Sequence, residues 1–108
     1  MSEEVIELLA NYQGEFDSLA LATIIESSGS TPRKAGAKMV VFPDGRSEGT
    51  IGGGCGEAEI RQQALSLLSK EGGPVLYTLD MTNDVAAAEG MICGGKMEVF
   101  IERIAFNN

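Results

Sequence analysis

The sequence predicts an α/β fold, a single domain with a mixed β-sheet flanked by helices, and three observations carry that expectation. Segments of helical and of strand periodicity alternate along the chain. One strand is apolar on both faces and needs cover on each side. A glycine-rich stretch stands where one strand hands over to a helix. With 108 residues, 44% of them hydrophobic, the chain has enough apolar surface for one core.

The elements follow in order. Ser2 can cap a first helix with Glu3 and Glu4 in its first turn, and Val5, Leu8, Leu9 and Tyr12 form its apolar face until Gly14 ends it. The run "LALATII", Leu19 to Ile25, is the strand apolar on both sides and should lie centrally. "KMVVF" and "SEGTI" flank "PDGR", residues 43–46, an Asp-Gly hairpin signal. After "GGGCGE" comes a helix with Ile60, Ala64, Leu67 and Leu68 on one face, stopped by Lys70, Gly72, Gly73 and Pro74. "VLYTL" reads as a strand, Asp84 as the cap of a short helix through "VAAAE", and "KMEVFIERI" as a last strand with Glu98 and Glu102 on a wet face. The tail "FNN" is expected to fray.

Composition narrows the function. No window holds the roughly 20 apolar residues of a membrane span, and the acidic N-terminus is unlike a secretory signal, so a cytoplasmic location is expected. Two cysteines and no histidine fit a reducing compartment and leave no metal site built on imidazole. A net charge of -8 argues against nucleic acid as partner. Four of the eight cations, Arg33, Lys34, Lys38 and Arg46, nevertheless fall between Ser27 and Ser47 beside one acid, Asp44. That segment can attract a small anion.

Glycine-rich backbone opening a helix presents free N–H groups to an oxyanion, and Gly52, Gly53 and Gly54 supply such backbone. The stretch lacks the Lys-Ser/Thr of a phosphate-binding loop and does not match the dinucleotide-binding glycine pattern. Its glycines are equally suited to close packing of helix on strand. Cys55 stands at the helix start, where the dipole favours a thiolate, while Glu57 and Glu59 oppose further negative charge. Cys93 lies in a second glycine-flanked element, "GMICGGK". Met39, Met91 and Met97 read as core filling.

Three segments, "ALATIIESSGSTPRKAGAKMVV", "GTIGGGCGEAEI" and "GMICGGKMEVFIE", resemble the N-terminal domain of the XdhC/CoxI family, accessory proteins of molybdenum hydroxylases such as xanthine dehydrogenase and carbon monoxide dehydrogenase. The resemblance runs from about Leu19 to Glu102. It implies a non-catalytic chaperone that binds the molybdenum cofactor (molybdopterin), protects it and delivers it to the apo-enzyme. A partner sulfurtransferase, a cysteine desulfurase, would exchange an oxo for a sulfido ligand. The family's motifs fall on Ser30, Thr31, Pro32, Arg33 and Gly36, on Gly52, Gly53, Gly54, Cys55 and Glu57, and on Gly90, Cys93, Gly94 and Gly95. The cofactor's phosphate, dithiolene and anionic metal centre then ask for cations from Arg33, Lys34 and Lys38, backbone donors from the glycines, and a metal-facing thiolate from Cys55.

Two departures from the family pattern carry expectations of their own. Longer members continue into a Rossmann-like domain, which residues 1–108 do not contain, and three alternatives stay open: action with a separately encoded Rossmann-domain partner, weak cofactor binding, or the fold kept for another task. The small size of the domain separately suggests a homodimer. Position 56 is glycine where the family pattern has a larger residue, so a looser helix start is expected here. Two other classes of function stay open: an enzyme using Cys55 and Cys93 as a redox dithiol or Cys55 as nucleophile, and an interaction module without ligand.

Overall fold

A computed structural model of the chain describes residues 2–29, 34–51, 56–70, 72–80 and 95–106. Its elements are α1 (Ser2–Ala10), β1 (Ser18–Ser28), β2 (Lys38–Val41), β3 (Ser47–Gly49), α2 (Glu57–Ser69), β4 (Val75–Asp80) and β5 (Lys96–Ala105). The strands form one five-stranded sheet in the order β3-β2-β1-β5-β4. The short helix expected after Asp84 falls outside the described residues.

Strand β1 occupies the centre, as its two apolar faces require. Ala20, Ala22 and Ile24 join Met39, Met97, Val99 and Ile101 beneath Ile60, Ala64 and Leu67 of α2. Leu19 and Leu21 turn the other way, with Val40 and Phe42, towards Val5 of α1. The sheet thus separates two apolar clusters, each closed by one helix. Met39 and Met97 are fully buried, which is the core role expected of them.

The layers match the α/β expectation, but every described strand pair is antiparallel, where a mixed sheet was expected. The helix between β3 and β4 explains the difference. A crossover helix joins strands of the same direction, and β3 and β4 do run the same way. They occupy opposite edges of the sheet, however, with β2, β1 and β5 between them. The helix carries the chain across the sheet without making the two strands neighbours.

Local departures have equally specific causes. The register of β1 against β5 slips between Ile24 and Glu26, so Ile25 becomes the extra residue of a bulge and is 50% exposed rather than buried. Helix α1 stops at Ala10, ahead of Gly14; the Asn11 backbone N–H closes the last helical bond to the Glu7 carbonyl, which also accepts the Asn11 side-chain amide. Tyr12 leaves the helix but keeps its expected apolar contacts, its ring 4.8 Å from that of Phe106 and 6.2 Å from that of Phe42. Phe106 is accordingly held, not frayed, and its N–H donates to the Asp17 carbonyl. Asn107 and Asn108 lie outside the described residues. Among the described residues, no helix is long and apolar enough to cross a membrane.

The Asp-Gly hairpin forms as read, with Gly45 at φ +95°. Its N–H donates to the Phe42 carbonyl, and that of Phe42 to the Arg46 carbonyl.

Candidate functional site

The sheet register places the connections bearing the three motifs at one end of the molecule. Ser28, Lys96 and Asp80 are aligned across β1, β5 and β4, and Lys38 and Gly49 stand at the same end of β2 and β3. Connections 29–37, 50–56 and 81–95 therefore all leave from and return to this end. The PDGR hairpin lies at the other. Helix α2 also starts at the motif-bearing end: a side chain at Gly56 would abut Leu79, whose cross-strand partner Met97 is two positions from the buried Gly95.

The start of α2 is fixed by several independent contacts. Gly56 immediately precedes the helix with φ +82°, and a Cβ there would fall 2.1 Å from Leu79 Cδ2. A larger residue, as the family pattern led us to expect, would not fit; glycine makes this start tight rather than loose. The Thr50 hydroxyl donates to the carboxylate of Glu57. The Tyr77 hydroxyl, from β4, donates to the carboxylate of Glu59. Both carboxylates also stand where the helix dipole favours negative charge. At the far end, Arg103 Nη2 donates to the carbonyls of Leu67 and Lys70, each at 2.5 Å, and the Leu67 carbonyl also accepts the Lys70 N–H that caps the helix.

The bond to Glu59 holds the Tyr77 phenol above its ordinary pKa, with burial and the carboxylate's charge adding in the same direction. A raised folded pKa means that the tie stabilises the fold below the phenol's ordinary range and loses this contribution as pH rises through the folded value. In a Tyr12→Phe background, ultraviolet titration of the remaining tyrosine should give a midpoint above about 10. Adding Glu59→Gln should bring it back down. An unshifted midpoint before that substitution would rule the bond out.

The sequence-derived site residues divide clearly. Ser30, Thr31, Arg33, Gly52, Gly53, Gly54, Cys55, Cys93 and Gly94 lie outside the described residues, as do Pro32 and Gly90. Lys34 is exposed in the β1–β2 connection and accepts the Ala37 N–H at its carbonyl. Lys38 is half-buried at the start of β2; because it alternates with core residue Met39, it lies on the α1 face of the sheet, away from α2. Glu57 is engaged by Thr50, and Gly95 is buried.

Arg46 does not belong with the other three cations. It sits at the hairpin end, 2.8 Å from Asp44 and stacked over Phe42. The Arg46 backbone N–H, helped by its guanidinium, holds the Asp44 carboxyl below its usual range. The positive segment is therefore shorter than its sequence span suggests, because the hairpin carries Arg46 to the opposite end.

One feature of the motif-bearing end has no linear signal. Glu26, Ser27, Ser28, Thr78, Lys96 and Glu98 line a cleft of about 190 Å³. The bulge at Ile25 sets Glu26 opposite Glu98, which accepts a hydrogen bond from Thr78 at 2.8 Å. Lys96 Nζ lies 3.8 Å from Asp80. Only the strand register brings these residues together. Among the described residues, no cluster of Asp, Glu, Cys or His could hold a metal ion.

Comparison with known proteins places this architecture. A protein of Escherichia coli strain K12, YqeB, is 45% identical over 82 residues, covering 76% of this chain and 15% of that one. A probable xanthine dehydrogenase component of Bacillus subtilis strain 168 is 37% identical over 90 residues, covering 82% of this chain and 27% of its own. The crystal structure of a xanthine dehydrogenase from Bacillus halodurans superposes with a TM-score of 0.78 at 29% identity, over 97% of this chain and 31% of that one. The chain thus spans less than a third of the length of each of these relatives. The pattern of the XdhC and CoxI family matches residues 15–80, more than half of the chain. The chain belongs to the XdhC and CoxI family.

Proposed function

We propose that this domain binds the molybdenum cofactor (molybdopterin) and, as a cytoplasmic accessory protein, assists its delivery to a molybdenum hydroxylase of the xanthine dehydrogenase type. The observation that carries the reading is convergence: the connections bearing all three motifs and the N-terminus of α2 share one end of the sheet. Segments that lie far apart in sequence are thereby available to one ligand.

The chemistry of this end suits the group. The cofactor brings an anionic phosphate, a dithiolene and a metal-oxo centre. The first turn of α2 offers the positive end of a helix dipole, Lys34 offers an exposed cation in the neighbouring connection, and the family motif adds Arg33 and the glycine backbone. Cys55 supplies the thiolate in this reading. Ser30, Thr31, Cys93, Gly94 and Gly95 complete the binding set, and Lys38 contributes charge from the sheet end.

The names of the B. subtilis and B. halodurans relatives motivate the choice of xanthine dehydrogenase as the enzyme served. A cysteine desulfurase is the further partner in this reading.

Protein purified from a molybdenum-replete host tests the reading directly. After gel filtration it should carry molybdenum and pterin in equal amounts, the pterin detected by fluorescence after oxidation. Protein without either, prepared alongside a molybdoenzyme that retains both, would refute cofactor carriage.

A further inference from the structure

We infer that β4 is an assembly edge: it pairs antiparallel with β4 of a second copy of this chain across a two-fold axis and joins the two five-stranded sheets into one. Pairing of this kind goes beyond the cofactor reading and does not depend on it.

The two edges of the sheet are unlike. β3 is three residues long, carries the exposed Glu48 and packs against α1, where a Cβ at Gly49 would abut Val5. Short length, a charge and a covering helix are means by which proteins keep an edge from pairing. β4 lacks such guards among the described residues. Its six residues pair with β5 without a bulge, include no proline or lysine, and carry a single charge, Asp80, at the end. Helix α2 packs chiefly on β1, β5 and β2, and α1 on β2 and β3. Val75 and Leu76, on opposite faces of the strand, are therefore left 37% and 55% exposed.

A second copy is the partner that resolves both exposed edges at once. Two-fold pairing consumes both β4 edges and leaves the two guarded β3 strands outermost, so the assembly closes as a dimer. The pleat restricts the register, because residues opposed across an antiparallel pair point to the same face. An axis at Tyr77 sets Leu76 against Thr78 of the partner subunit and Val75 against Leu79 of the partner subunit, and it keeps both exposed apolar residues inside the pair. It also holds the two Asp80 carboxylates at opposite ends. An axis at Thr78 would set Leu76 against Asp80 of the partner subunit and leave Val75 outside, and a parallel pair would bring the two carboxylates together. The side chains thus select the Tyr77-centred, antiparallel pair. In it the motif-bearing ends of the two copies point in opposite directions.

Sedimentation equilibrium of the purified chain tests the pairing. One strand pair with its flanking side chains is a small interface, so a dissociation constant on the order of 10 µM is expected, with dimer dominant at about 200 µM and monomer at about 1 µM. Leu76→Lys changes an exposed side chain, brings two ammonium groups close to the axis, and should weaken association about tenfold or more. Ile6→Lys alters a comparably exposed apolar residue, 52%, on α1 and away from the edge, and should leave the dissociation constant within about twofold. Amide hydrogen exchange of the wild-type protein needs no variant: protection of residues 75–80 should rise between the two concentrations, and that of residues 47–49 should not.

A monomer at every concentration would overturn the inference, as would a mass that grows past the dimer, which reports an open assembly. So would association untouched by Leu76→Lys, equal weakening by Ile6→Lys, or protection that does not change at residues 75–80. The molybdenum content of the protein bears on none of these outcomes, so the cofactor reading and the β4 pairing stand or fall separately.

Discussion

Gly56→Ala is expected to lower the melting temperature by roughly 10 to 20 °C, because two costs coincide at one position. An L side chain in the left-handed conformation costs about 1–2 kcal/mol, and Gly56 stands at φ +82°. The added methyl would also lie 2.1 Å from Cδ2 and 3.0 Å from Cγ of Leu79, a side chain only 2% exposed. Overpacking of a filled core costs typically about 1–3 kcal/mol more. Gly73→Ala is the control: a Cβ there meets nothing within 4 Å, and substitutions of that kind stay within about 0.5 kcal/mol. Thermal melts of the two variants should differ widely. If Gly56→Ala melts with wild type, the helix start is not fixed by these contacts.

The effect on function follows from the same geometry. Gly56 stands between the motif cysteine and α2, so backbone strain there bears on the orientation of the helix N-terminus towards the motif-bearing end. The expectation of a looser helix start at Gly56 fails on one particular contact, that with Leu79. No local pattern could have shown it, since Leu79 belongs to a strand that follows the helix in chain order.

Much of the fold is legible where burial alone decides the outcome. Apolar residues on both faces of Leu19–Ile24 placed β1 at the centre, between two clusters, and the spacing of Ile60, Ala64 and Leu67 gave the buried face of α2. The alternation of Met97, Val99 and Ile101 with Glu98 did the same for β5. Strand direction was not legible, because a helix between two strands says that they run the same way and not that they touch. Ile25 was read as buried because the period of two cannot foresee a slipped register.

The candidate site shows the same division. Glycine runs, cysteines and cations marked the segments, yet their meeting at one end is a consequence of antiparallel pairing and of where α2 begins. Thr50, Tyr77 and Arg103 were missed. Tyr77 and Arg103 act on α2 from strands 18 and 36 positions away, and Thr50 carries no signal apart from its position just before the glycines. Arg46, conversely, was grouped with three cations from which the hairpin separates it.

If the motif-bearing end holds a molybdenum-pterin with Cys55 facing the metal, as proposed, Cys55→Ser is the decisive variant. Serine keeps the size of the side chain and removes the soft thiolate, so the substitution separates a ligand from a packing group. Molybdenum retained through gel filtration and the melting temperature are measured on the same purified variant, so that a general loss of folding is not mistaken for a lost ligand. A metal-facing thiolate requires retention to fall by about tenfold or more while the melting temperature stays close to that of wild type. Normal retention in a variant that melts several degrees lower would refute that role and assign the thiol to packing.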